Sequence, residues 1–175
     1  MTNDLDLKSY IREIPDFPSP GILFRDITPL LRAPAAFAQA LDAMTAAVER
    51  LAPTAVVGIE SRGFIFGAPI AQRLSLPFVP IRRAGKLPYD RMSVDYELEY
   101  GMAQMEIHTD ALTPNDRVAV IDDLIATGGT ANGACQLVDI LGAEVAGLVF
   151  LIELVALAGR TRLGQRDITT LIKYD

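Results

Sequence analysis

The chain has no tryptophan, one cysteine and one histidine. Cys135 alone cannot close an internal disulfide, and Cys135 with His108 cannot form a zinc cluster, so any metal must be oxygen-bound or carried in by a substrate. No apolar run reaches the roughly 18 residues that a membrane span requires. The N-terminus shows Asp4, Asp6 and Lys8 where a secretory leader would be basic and then apolar. A cytoplasmic protein without a membrane partner is therefore expected. Positive charge is also in deficit: the formal net charge is −6, which argues against nucleic acid as the partner, because duplex binding rests on a broad basic surface. Linkers, internal repeats and low-complexity tracts are lacking, so the 175 residues read as one domain, 1–175, large enough to close a sizeable core. Half of the residues are hydrophobic and 22% are charged, the balance of a globular chain and not of a disordered one.

Pro15, Pro18 and Pro20 forbid one continuous helix near the N-terminus, where a short helix and an ordered loop are predicted. Pro34 suits a first helical position, and Phe37, Leu41, Met44 and Val48 follow on one face. Strand-like 55–59, helix-compatible 64–74 and strand-like 78–81 form a βαβ unit. Residues 118–121, 130–141 closed by Gly142, and 145–151 repeat the pattern. Such units imply a parallel sheet with helices on its faces. Between them, Val94, Tyr96, Leu98 and Tyr100 alternate with acids, and Ala103, Met105 and Ile107 alternate with Gln104, Glu106 and His108, the period of half-exposed strands. Residues 82–93, with Gly85 and Pro88, read as a long mobile loop of the kind that closes over a site.

The segment 120–130 carries the chemistry. An apolar strand runs into Asp122 and Asp123 at its carboxyl end, and Ala126-Thr127-Gly128-Gly129-Thr130 then opens a helix. The glycines let backbone approach a phosphate, the threonines offer hydroxyls, and the helix start favours an anion. The two acids would repel a bare phosphate, but ribose hydroxyls donate hydrogen bonds to carboxylates, so a sugar phosphate lying across the loop satisfies both halves. Adjacent glycines are no dinucleotide fingerprint, and no Gly-Lys-Ser/Thr follows. Arg82, Arg83, Lys86 and Arg91 cluster around the 82–93 loop, and Arg62 sits just after the first strand, where ligands of such sheets collect. His108 and Cys135 are assigned no chemistry.

This loop resembles the phosphoribosyl-pyrophosphate motif of type I phosphoribosyltransferases. Segments 15–18 with 20–27, 61–67, and 83–88 with 98–101 are similar to those of adenine phosphoribosyltransferases, in matches that run to Leu157 and beyond. The resemblance implies a central, mostly parallel twisted sheet flanked by helices, a small N-terminal hood over 1–31, and a mobile loop and strand, 82–100, over the active site. It implies purine salvage: transfer of the phosphoribosyl group from phosphoribosyl pyrophosphate to adenine, giving AMP and pyrophosphate, with substrate-bound Mg2+ and no dedicated protein metal site. It places Glu60, Ser61 and Arg62 in a pyrophosphate loop with a cis Glu60–Ser61 peptide, joined by Arg82, Arg83 and Lys86. Phe24 and Leu157 would cover the faces of adenine, while the backbone of Leu23 and Arg25 reads its edge. Glu99 would handle the proton at the purine's imidazole edge, supported by Tyr100. Ala84 departs from members with a further basic residue there. A homodimer is expected. The alternatives are transfer to another purine base (hypoxanthine, guanine or xanthine), a non-catalytic sensor of phosphoribosyl pyrophosphate, and a doubly wound nucleotide-binding protein of unrelated chemistry.

Overall fold

The computed structural model describes residues 5–98 and 101–175, with backbone only at 97 and 98. The chain divides into two compact units, Met1–Ala43 and Met44–Asp175.

In the first unit a 3-10 turn, Leu7–Tyr10, precedes β1 (Arg12–Pro15) and β2 (Leu23–Asp26), which pair antiparallel. The predicted ordered loop is thus a hairpin. In its proline-rich connection Asp16 and Gly21 adopt positive φ (56° and 88°), which turns the chain back; Phe17–Pro18 is cis. The Asp16 carboxylate accepts from the Gly21 N–H at 2.8 Å, which ties the two ends of the connection together. Phe17 meets Phe24 edge-on, centroids 5.1 Å apart. The short helix α1 (Thr28–Arg32) follows, with Asp26 accepting from both the amide and the hydroxyl of Thr28. In α2 (Pro34–Arg50), Ala36, Ala40, Met44, Ala47 and Val48 are buried at helical spacing, and Leu41 joins them. Phe37, read as part of that face, is only half-buried.

The second unit continues with β3 (Ala55–Ile59), α3 (Gly63–Leu74), β4 (Phe78–Arg83), β5 (Arg91–Leu98), β6 (Gly101–His108), β7 (Arg117–Ile125), α4 (Gly129–Ile140), β8 (Glu144–Leu154) and β9 (Ile168–Tyr174). Among the described residues the sheet has seven strands in the order β5-β6-β4-β3-β7-β8-β9. Neighbours from β4 through β9 run parallel, while β6 is antiparallel to β4 and β5. Every residue of β3 is buried, as a strand covered on both faces must be. On one side Val57, Val120, Leu148 and Phe150 pack with Ala134, Leu137 and Val138 of α4. On the other, Gly67 of α3 lies against Gly58, and the Phe78 ring fills the space that side chains at these glycines would occupy.

Three expectations change. The strand predicted at 118–121 runs on through Ile125, so Asp122 and Asp123, expected at its carboxyl end, are followed by two further strand residues. Beyond Ile121 it pairs only with β8, because β3 ends at Ile59; this local divergence opens a crevice where strand order reverses. The loop expected over 82–93 is shorter: β4 takes Arg82 and Arg83, β5 starts at Arg91, and the connection is 84–90. Finally, β9 adds an edge strand that sequence reading did not anticipate.

Candidate active site

A cavity of about 240 Å³ fills the crevice between β3 and β7. Its floor is the segment 124–131, so Ala126, Thr127, Gly128, Gly129 and Thr130 all face it. Gly128 caps α4 in the left-handed region, φ 82°, with no side-chain hydrogen bond to the first turn. The amides of that turn are thereby left for a ligand, and the helix dipole adds to their attraction for an anion. The loop is held from behind by an interlock of backbone. A Cβ on Gly128 would lie 2.3 Å from the Gly159 carbonyl oxygen, and one on Gly159 2.3 Å from that of Ala126. Gly159, unnoticed in the sequence, belongs to the cradle; only the spatial approach reveals it.

Asp122 and Asp123 form one wall. Asp123 is 3% exposed, and its amide donates to Asp122 Oδ1 at 2.9 Å. Arg62 Nε lies 3.0 Å from Asp123 Oδ2, an ion pair across the crevice. Burial pushes the Asp122 carboxyl well above the usual range, and the neighbouring Asp123 charge adds to this. Burial also raises Asp123, with Arg62 opposing. The two titrate as a pair whose second charge is disfavoured until a donor or cation arrives.

The facing wall is Glu60-Ser61-Arg62, and the Glu60–Ser61 peptide is cis, as the resemblance implied. The Glu60 carboxylate accepts from Arg82 Nη2 at 3.0 Å and from the Arg83 amide at 2.9 Å. Burial opposes its ionisation, yet these bonds outweigh it and hold the pKa below the ordinary value. Arg82 is therefore engaged with Glu60, and its Nη1 donates to the Lys86 carbonyl at 3.0 Å. Of the basic residues expected around pyrophosphate, Arg62 and Arg83 line the cavity, whereas Arg82 and Lys86 do not. Tyr96 lines it as well and escaped sequence reading. Its phenol is pushed up by burial, with Arg83 opposing and Asp122 reinforcing the shift. The available signal was a tyrosine on the inward side of an alternating strand, where a hydroxyl needs a polar partner.

Glu99 and Tyr100 lie outside the described residues. In the first unit, Leu23 is exposed and Phe24 half-buried; Leu23 and Arg25, two apart on β2, carry their backbone groups to the same strand edge. In the second, Leu157 ends a 3-10 turn, Val155–Leu157, and is 39% exposed.

A mostly parallel sheet that opens onto paired acids and a glycine-rich helix start defines a class: the family model described as the phosphoribosyl transferase domain matches residues 28–170. An adenine phosphoribosyltransferase of Synechococcus sp. is 57% identical over 171 residues, covering 98% of this chain and all of that one. Among solved structures, the adenine phosphoribosyltransferase of Thermoanaerobacter pseudethanolicus has a TM-score of 0.94 at 47% identity, covering 97% of this chain and 98% of that one. The Saccharomyces cerevisiae enzyme of the same name, complexed with D-2,5-dideoxy-2,5-imino-altritol 1,6-bisphosphate and adenine, has a TM-score of 0.90 at 40% identity, covering 96% and 97%. The chain belongs to the adenine phosphoribosyltransferase family.

Proposed function

We propose that this chain transfers the 5-phosphoribosyl group of phosphoribosyl pyrophosphate to adenine, giving AMP and pyrophosphate in purine salvage. The observation that carries this reading is the juxtaposition, in one cavity, of the uncapped start of α4 with Asp122 and Asp123. The amides and hydroxyls of 126–130 hold the 5′-phosphate, and the two carboxylates accept from the ribose hydroxyls. Arg62 and Arg83 face the same space and attract the pyrophosphate end on a chain whose net charge is −6.

The donor set fits a hard divalent cation held mainly through substrate oxygens. Of the three carboxylates lining the cavity, Glu60 is engaged by Arg82 and the Arg83 amide and Asp122 and Asp123 sit side by side, and no group of three or more acidic, histidine or cysteine side chains suited to a metal occurs among the described residues. When bound, Mg2+ neutralises charge on the departing pyrophosphate. Arg62, already paired with Asp123, keeps the wall of the crevice ordered for that leaving group. Glu99 and Tyr100 are carried over from the family resemblance, Glu99 to hold or take the proton at the imidazole edge of the base as its nitrogen attacks the anomeric carbon. Phe24 and the backbone of Leu23 and Arg25, and separately Leu157, are assigned to adenine on the same basis. Lys86 is assigned to pyrophosphate from its place in the 84–90 connection, whereas Arg82 acts through Glu60.

The test is a competition assay with phosphoribosyl pyrophosphate, Mg2+ and equimolar adenine, hypoxanthine, guanine and xanthine. AMP should be the dominant product. Preferred conversion of another base would replace the substrate, and absence of any nucleotide product would replace the function with ligand sensing.

A further inference from the structure

Glu106 is 4% exposed, although the alternation of β6 marks it as an outward, polar position beside Met105 and Ile107. A buried carboxylate is costly unless its oxygens accept hydrogen bonds. The topology supplies the cover. Because β6 lies between β4 and β5, and those two run the same way, the connection 84–90 must cross β6. Arg82 and Ser93, on either side of the connection, both stand in register with Glu106.

Each Glu106 oxygen takes one end of that connection. The Gly85 amide donates to Oε2 at 3.0 Å, and Arg91 Nε donates to Oε1 at 3.0 Å. Around this clamp, the Ala84 amide donates to the Gln104 carbonyl, the Thr109 amide donates to that of Asp90, Leu87 is buried, and Tyr89 meets His108 edge-on. Two residues before Gly85 along the chain, Arg83 faces the cavity.

We infer that Glu106 is a positioning residue: it fixes both ends of the basic connection across β6 so that Arg83 is presented to the pyrophosphate side of the site. Resting on the proposed transferase reading, it adds a residue that touches no substrate. Glu106→Gln replaces one acceptor with a donor and releases one end. The Michaelis constant for phosphoribosyl pyrophosphate should rise about tenfold, the size of one lost charge-assisted hydrogen bond, while that for adenine stays within about twofold and Tm within a few degrees. Trypsin cleavage after Arg83, Lys86 or Arg91 should accelerate in the variant. Arg91→Gln, altered at a half-exposed side chain, should shift the same constants in the same direction even if the buried substitution disturbs folding. Unchanged cleavage and unchanged constants in both variants would overturn the inference. So would equal rises in both Michaelis constants that track a fall in Tm. If the unsubstituted chain made no AMP, the transferase reading would fail, and trypsin sensitivity would still decide whether Glu106 holds the connection.

Discussion

That Asp122, Asp123 and 126–130 would share one cavity was legible in the sequence, because a sugar-phosphate cradle needs particular side chains at fixed offsets; their partners were not. Asp122 and Asp123 could be read as ribose acceptors, but the pairing of Asp123 with Arg62, and of Glu60 with Arg82, depends on strands brought together from distant parts of the chain. The acids also set a pH dependence whose sign can be worked out. Asp122 has an ordinary carboxyl value of 3.8 when unfolded and a raised one when folded. Between those values the native protein binds more protons than the unfolded chain, so this group stabilises the unliganded protein as pH falls and destabilises it once charged. Glu60, and Glu153 of β8, whose carboxylate accepts from Arg160 Nε and Nη2, act in the opposite sense: their lowered values give stability that is present above the ordinary range and lost as pH falls through the folded value. Asp122→Asn should therefore raise the Tm of the unliganded protein at neutral pH in calorimetry. The same change should lower kcat/KM for AMP synthesis by about 10- to 100-fold through loss of charge-assisted bonds to ribose. A Tm that falls, with activity retained, would remove Asp122 from the proposed role.

At the scale of elements, β3, β4, α2, α3, α4 and the starts of β7 and β8 followed from β-branched runs and helical spacing, since burial of one face or both imposes those periods. The β1–β2 hairpin did not, because its strands are four residues each and its connection turns at positive-φ Asp16 and Gly21 instead of at an asparagine-glycine pair. Edge strand β9, Ile168–Tyr174, carries consecutive threonines and only partial burial, which leaves no clean alternation. The interlock of Gly159 with the 126–128 loop likewise has no local signature. Gly159→Ala would place a methyl group 2.3 Å from the Ala126 carbonyl oxygen, so the loop or the turn must shift. Overpacking of this kind costs about 1–3 kcal/mol. Isothermal titration with ribose 5-phosphate should show affinity weakened by about 10-fold or more, with the far-ultraviolet circular dichroism retained; undiminished affinity would show that the loop does not depend on this packing.

For the whole molecule, an acidic chain that handles a substrate carrying both a pyrophosphate and a monophosphate must attract it locally, and Arg62 and Arg83 line the crevice. Parallel order and helices on the sheet's faces were expected from the repeated βαβ pattern, and Arg62 was expected at a strand end where ligands of such sheets collect; the crevice where strand order reverses emerged only from the topology. The homodimer is proposed from family resemblance; sedimentation equilibrium should give twice the chain mass, and a monomer at micromolar concentration would refute it. The most direct test of the central claim is a crystal structure with AMP. Its 5′-phosphate should lie within hydrogen-bond distance of the 127–130 amides, and its ribose hydroxyls should contact Asp122 and Asp123. AMP bound with its phosphate elsewhere and its ribose away from both acids would contradict the claim.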